Sequence, residues 1–282
     1  MAILSHHLGA IRSGKIRMST NWNAQVSNAQ AAPLLNKVPE VTLIFWTIKI
    51  LSTTVGETGA DYLAVHVGLG ANLTMTLMSA LLVAALALQL QAKRYVPWIY
   101  WLTVVLVSVV GTQITDFLTD KLEISLYVST AAFACALAAT FAVWYATEHT
   151  LSIRTITTRR RELFYWAAIL FTFALGTAAG DLATEALGLG FQLGVIVFAV
   201  LIGFVAVFYQ LDSDPVLSFW LAYILTRPLG ASLGDLLSQS RNYGGAGLGT
   251  VHTSLAFLTV IIALVVWVTF EGDRSGKADP AR

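Results

Sequence analysis

Four aspartates stand within long apolar runs, each preceded by the same escort. An aromatic-Trp pair is followed by Gly ten residues after the Trp and by Asp fifteen after it. Phe45-Trp46 leads to Gly56 and Asp61, Tyr100-Trp101 to Gly111 and Asp116, Tyr165-Trp166 to Gly176 and Asp181, and Phe219-Trp220 to Gly230 and Asp235. Carboxylates in an apolar stretch are costly and mark an ion, proton or substrate path. Four at one depth make a cation site with Asp61, Asp116, Asp181 and Asp235 as ligands or proton carriers. Hydroxyls one turn before the Gly, at Ser52, Thr172 and Thr226, add oxygen donors suited to a hard cation such as Mn²⁺ or Mg²⁺. Soft metals want sulfur or imidazole, and the chain has one cysteine, Cys135, and five histidines. The competing reading is that each Asp caps the next helix or binds backbone amides at a broken one.

Three charges break the fourfold pattern. Glu57 stands four residues before Asp61, on the same helical face. Lys49 lies one turn past Trp46, where it can snorkel toward the membrane surface. Arg227 precedes Pro228 deep in its apolar run. A guanidinium at such depth needs a carboxylate or an anionic ligand, and Glu57 is the first candidate partner. Pro228 is expected to free a backbone carbonyl and kink its helix. Glu185 and Asp120, four residues beyond Asp181 and Asp116, are expected at the outer mouth. His66 and His252 favour Mn²⁺ or Zn²⁺ only if both face the axis.

The elements that position these groups follow from composition. Of 282 residues, 56% are hydrophobic and 12% charged, where a soluble domain carries about a quarter charged. Crossing a ~30 Å hydrocarbon core takes ~20 helical residues. Suitable stretches run over about 41–63, 69–92, 96–118, 122–147, 163–184, 188–210, 216–238 and 248–270, which makes eight. The even-numbered connections hold Lys93, Arg94, Arg154, Arg159, Arg160 and Arg161, and the odd-numbered ones essentially Lys121 and Arg241. The positive-inside rule therefore places both termini in the cytoplasm. Residues 1–40 read as a polar tail, with Met1 or Met18 as the start, and 271–282 as a second, disordered tail.

Trp, Gly and Asp recur once per helix pair, so the chain divides into tandem repeats over about 41–92, 96–147, 161–210 and 216–270. An even helix count per unit makes all four units parallel, related by an axis along the membrane normal. The Trp residues are expected as interfacial anchors. The Gly residues are expected to let central helices approach closely near mid-membrane. Gly68-Leu69-Gly70, Gly188-Leu189-Gly190 and Gly247-Leu248-Gly249 read as helix starts, and Lys121-Leu122-Glu123 departs from them.

Thr115-Asp116-Phe117-Leu118-Thr119-Asp120, Gly180-Asp181-Leu182-Ala183-Thr184 and Gly234-Asp235-Leu236-Leu237-Ser238 resemble the GDYLTKP-like motif of a bacterial membrane-protein family built from four tandem two-helix repeats. The first unit reads Gly59-Ala60-Asp61-Tyr62-Leu63, and no unit keeps the final Lys-Pro. The resemblance covers about residues 41–270. It implies an all-α, multi-pass protein of the bacterial cytoplasmic membrane and assigns no activity.

Together these features point to a transporter or exporter of a small cation, with a carboxylate exchanging a proton for the substrate. One alternative is a carrier for a small organic anion or zwitterion held by Arg227 and Lys49. Another is a non-transporting scaffold or sensor. The sequence shows no Ser/His/Asp grouping, Walker motif or HExxH motif, so a non-enzyme without a resident cofactor is expected. A net charge of +1 without a long basic run gives no footprint for nucleic acid. The expected partners are the lipid bilayer and the transported species, with homo-oligomerisation left open.

Overall fold

The computed structural model describes residues 36–62, 70–211 and 213–277, apart from the side chains at 60–61 and 272–277. These residues form eight long α-helices and no strands: α1 (Leu43–Asp61), α2 (Gly70–Gln91), α3 (Pro97–Asp116), α4 (Leu126–Glu148), α5 (Arg159–Asp181), α6 (Gly190–Gln210), α7 (Pro215–Ser238) and α8 (Thr250–Lys277). Their starts are written locally. Thr42, Thr158 and Asp214 accept backbone N–H groups of the first turns of α1, α5 and α7, and Pro97 and Pro215 occupy the first turn, where a missing N–H costs nothing. Gly70, Gly190 and Gly249 open α2, α6 and α8 with positive φ, as the Gly-Leu-Gly pattern predicts. In the second unit the positive φ falls on Glu123, at 52°, which follows Asp116 by seven residues as Gly188, also at positive φ, follows Asp181.

The helices sort into two concentric layers. The odd-numbered helices form a closed inner ring, α1 on α3, α3 on α5, α5 on α7 and α7 back on α1. Each even-numbered helix packs mainly on the inner helix of the following unit: α2 on α3, α4 on α5, α6 on α7 and α8 on α1. The outer helices carry apolar side chains almost all round and leave Leu81, Val83, Val200, Phe204, Ile262 and Val266 exposed. The inner helices carry the hydroxyls, the Gly residues and the charges, and bury them. A sheath of apolar helices around a polar-bearing ring is what lipid demands.

Seven of the eight helices are long and apolar enough to cross a membrane. The exception is α1, which sequence analysis counted as a span. It carries Lys49, Glu57 and Asp61 with a Ser/Thr/Gly-rich middle, so its length lies in the ring without the apolar character of its neighbours. The tails differ as well. Lys37, expected in a loose tail, is buried with its Nζ 2.6 Å from Glu162 Oε2, and Gln89 donates to the same carboxylate at 3.1 Å. At the other end α8 continues to Lys277, seven residues into the expected tail.

Equivalent residues meet around the ring, which shows that the four inner helices are parallel and in register. At their N-terminal ends the first aromatic of each unit packs on the Trp of the next. Ring centroids lie 5.6 Å apart for Phe45 and Trp101, 5.5 Å for Tyr100 and Trp166, 6.2 Å for Tyr165 and Trp220, and 5.8 Å for Phe219 and Trp46. Tyr100 and Tyr165 share a 2.5 Å hydroxyl contact inside this collar. Trp101, Trp166 and Trp220 are buried and only Trp46 is half-buried, so the expectation of interfacial anchors is corrected: the Trp residues bind repeat to repeat.

The Gly residues do what was expected of them. A Cβ on Gly56 would collide with Ser108, one on Gly111 would sit 2.8 Å from Phe173 Cβ, one on Gly176 would collide with Arg227, and one on Gly230 with Thr53. Each partner stands three residues before the next unit's own Gly, so one contact is repeated four times. A Gly56→Ala or Gly230→Ala substitution is expected to cost roughly 1–3 kcal/mol, because overpacking forces the ring apart. Gly203→Ala, on lipid-facing α6 with no atom near its Cβ position, should be neutral or slightly stabilising. Thermal unfolding in detergent checks both.

Candidate functional site

Progress along the ring axis from the aromatic collar meets two cations and then the acids. Lys49 comes first. Its side chain is 0% exposed, its Nζ lies 4.3 Å from the ring centroids of both Phe173 and Tyr223, and it has no hydrogen-bond acceptor among the described residues. Lys49 therefore does not snorkel; two aromatic faces hold it inside the ring.

Arg227 comes next, also 0% exposed, with its guanidinium carbon 5.5 Å from the centroid of the same Phe173 ring. It donates to Thr53 O at 3.1 Å, to Glu57 Oε2 at 3.0 Å, to Thr177 Oγ1 at 2.6 Å and to Thr112 Oγ1, while Thr112 in turn donates to Glu57 Oε2 at 3.3 Å. The expected Arg227–Glu57 pair is thus present. Glu57, Thr112 and Thr177 each follow their unit's Gly by one residue. One arginine of the fourth unit reaches the equivalent position of the other three, so its side chain crosses the axis and fills it. Helix α7 runs through Pro228 to Ser238 as a single element, so Arg227 sits on a continuous helix.

The acids form the third layer. Glu57, Asp181 and Asp235 each offer a carboxylate oxygen, and these lie within 4.8 Å of one another; Glu57 is buried and the two aspartates half-buried. Asp116 is half-buried at the end of α3 and stands outside this group. Asp61 closes α1, and its side chain lies outside the described residues. Among the described residues the cluster is three-membered, with Glu57 contributing a carboxylate from the first unit. Asp116 and Asp181 each lead directly into a one-turn π segment, Phe117–Lys121 and Leu182–Ala186. Such segments alter the helix pitch and recur at functional positions.

Three expected ligands do not reach the acids. Ser52, Thr172 and Thr226 precede the Asp of their helix by nine residues, ~13 Å along the axis, on the far side of Arg227. Thr226 Oγ1 donates instead to Tyr223 O at 2.8 Å. Thr112 and Thr177 are the hydroxyls that matter, and sequence reading passed over them. Aligning the four units on their Gly places both in the column of Glu57, which was the available signal. His252 is exposed on α8 with Nδ1 3.1 Å from Leu248 O, and so turns away from the axis; His66 lies outside the described residues. Asp120 and Glu185 are exposed in the two π segments.

A ring of parallel inner helices, an apolar sheath and a charged axis define a multi-pass membrane protein assembled from internal repeats. The family model described as Repeat of Unknown Function (DUF347) matches residues 44–95, 99–150, 164–212 and 218–273, and the chain belongs to this family. Each match covers one inner and one outer helix. No curated protein and no solved structure matches the chain.

The pair on the axis is testable by itself. Glu57→Gln leaves a buried guanidinium without its counter-ion and is expected to cost about 3–5 kcal/mol, whereas Glu57→Gln combined with Arg227→Met should recover most of that loss. A double-mutant cycle on thermal or denaturant unfolding reads the coupling directly.

Proposed function

We propose that this protein carries a small hard cation, of the Mn²⁺ or Mg²⁺ class, across the membrane, with Glu57, Asp181 and Asp235 as the binding site. The observation that supports the reading is the approach of three carboxylate oxygens from three repeats to within 4.8 Å of one another. Oxygen-only donors in that arrangement suit a hard divalent ion. Carboxylates this close repel one another when ionised, and a bound cation relieves that repulsion. The collar on one side and Arg227 on the axis argue for a carrier that changes conformation, in place of an open pore.

The exchange step follows from the contacts. An arriving cation competes with Arg227 for Glu57 Oε2. As Glu57 turns to the cation, the guanidinium keeps Thr112, Thr177 and Thr53 O. A differential contact of this kind is what lets a ligand shift a two-state equilibrium. Uphill movement draws on an ion or proton gradient, a carboxylate giving up a proton as the cation binds. In the full reading α1 also spans the bilayer, giving eight spans. Both termini and the arginine-rich connection around Arg159, Arg160 and Arg161 face the cytoplasm of a bacterial cell.

In proteoliposomes loaded with a Mn²⁺-quenched fluorophore, the purified chain is expected to conduct Mn²⁺. Asp181→Asn with Asp235→Asn should reduce the flux at least tenfold at an unchanged melting temperature. Undiminished flux in that double variant would refute the site.

A second reading has its own support, because Lys49 Nζ and Arg227 Nε are buried without acceptors among the described residues. A carrier for a small organic anion or zwitterion would seat a carboxylate there. Lys49→Gln separates the two: an anion carrier loses substrate binding, whereas the cation carrier keeps Mn²⁺ flux within about a factor of two of the parent, Lys49 lying away from its ligands.

A further inference from the structure

The described residues leave a gap in the outer layer on the membrane-facing side. A cavity of about 630 Å³ opens between α1, α6 and α7, with the segment at 151–154 at one end. That volume lies in the range of small-molecule sites, roughly 300–1,000 Å³. Its walls are mainly apolar, including Trp46, Ile50, Ile202 and Phe219, and Arg154 stands at its rim. The Trp residues of the other three units are buried by their surroundings; Trp46 is half-buried because this groove lies against it.

Two features identify the occupant. The first is depth. The α7 wall runs from Pro215 to Thr226, ~16 Å at the helical rise, which is about half the ~30 Å hydrocarbon core and therefore one leaflet. The second is charge. Arg154 is exposed at the headgroup end and pairs with no acid among the described residues, whereas Arg160 and Arg161 nearby are engaged by Glu148. The neighbouring Asp214 is committed to the backbone of α7, accepting from Val216 N and Leu217 N at 2.8 Å each.

We propose that this groove is a binding site for one anionic phospholipid of the adjacent leaflet, with an acyl chain along Trp46, Ile50 and Ile202 and the headgroup phosphate on Arg154. The lipid completes the outer layer at a seam where the described residues leave the collar uncovered. The site is independent of the ion-binding reading and requires only that the chain lie in a bilayer.

The test uses the full chain in nanodiscs of phosphatidylcholine and phosphatidylglycerol, followed by gentle detergent extraction and native mass spectrometry. The parent is expected to retain one phosphatidylglycerol per chain. Arg154→Gln should reduce the preference for phosphatidylglycerol about fivefold, the effect of one surface cation on an anionic lipid. Ala222→Trp, which fills the groove, should abolish retention of both lipids. Val205→Trp fills it from the α6 wall and serves if Ala222→Trp lowers the melting temperature. Equal retention of the two lipids by the parent overturns the proposal, as does unchanged retention in a folded groove-filling variant. A dimer that the filling variants dissociate overturns it too, since the occupant is then a second copy of the chain.

Discussion

A guanidinium on the axis of a membrane-embedded ring sets the terms for everything around it. Removing such a charge from water is expensive, and only an opposite charge with further hydrogen bonds offsets the cost. Arg227 draws these from three directions at once: a carboxylate and a backbone carbonyl from α1, a hydroxyl from α3 and a hydroxyl from α5. That geometry exists only if the four inner helices are parallel, in register and close together. Gly176 supplies the closeness, since Arg227 lies where its side chain would be. Charge neutralisation, register and the absence of a Cβ are therefore one constraint seen from three sides.

The repeat itself carries no charge at this level, and the four units differ where they meet the axis. The positions three before each Gly hold Thr53, Ser108, Phe173 and Arg227, and those one after it hold Glu57, Thr112, Thr177 and Ala231. Symmetric backbone packing has been kept while the inward-facing residues diverged into a cation, its counter-ion, two hydroxyls and an aromatic platform. The collar below is treated differently. Its aromatic-Trp pair is preserved in every unit because each pair must fit the next around a closed circle, and one misfit opens the whole circle.

Much of this was legible in the sequence, for identifiable reasons. Lipid forces apolar spans of fixed length, so the helices and their pairing into repeats could be counted. Gly recurring at mid-helix has few other uses in a bilayer, and a deep Arg has few possible partners, so the Gly contacts and the Arg227–Glu57 pair could both be anticipated. What failed was rotation about the helix axis. Spacing places a Trp at a given depth but does not say whether it faces lipid or protein. The same blindness selected Ser52, Thr172 and Thr226 over Thr112 and Thr177, and sent Lys49 outward when it points between Phe173 and Tyr223. The four aspartates look equivalent because their spacing is, yet among the described residues only Asp181 and Asp235 of that set join the cluster, together with Glu57.

The packing of each outer helix on the following unit has a corollary for biogenesis. The least apolar helix, α1, leaves the ribosome before the helices whose surfaces enclose it, α3, α7 and α8. Two of these belong to the fourth unit. Until α7 and α8 are made, α1 has one of its three final neighbours and carries a lysine and a glutamate that lipid alone does not accommodate. Stable insertion of α1 is thus bound to completion of α7 and α8, and the ring closes in a single event when they arrive.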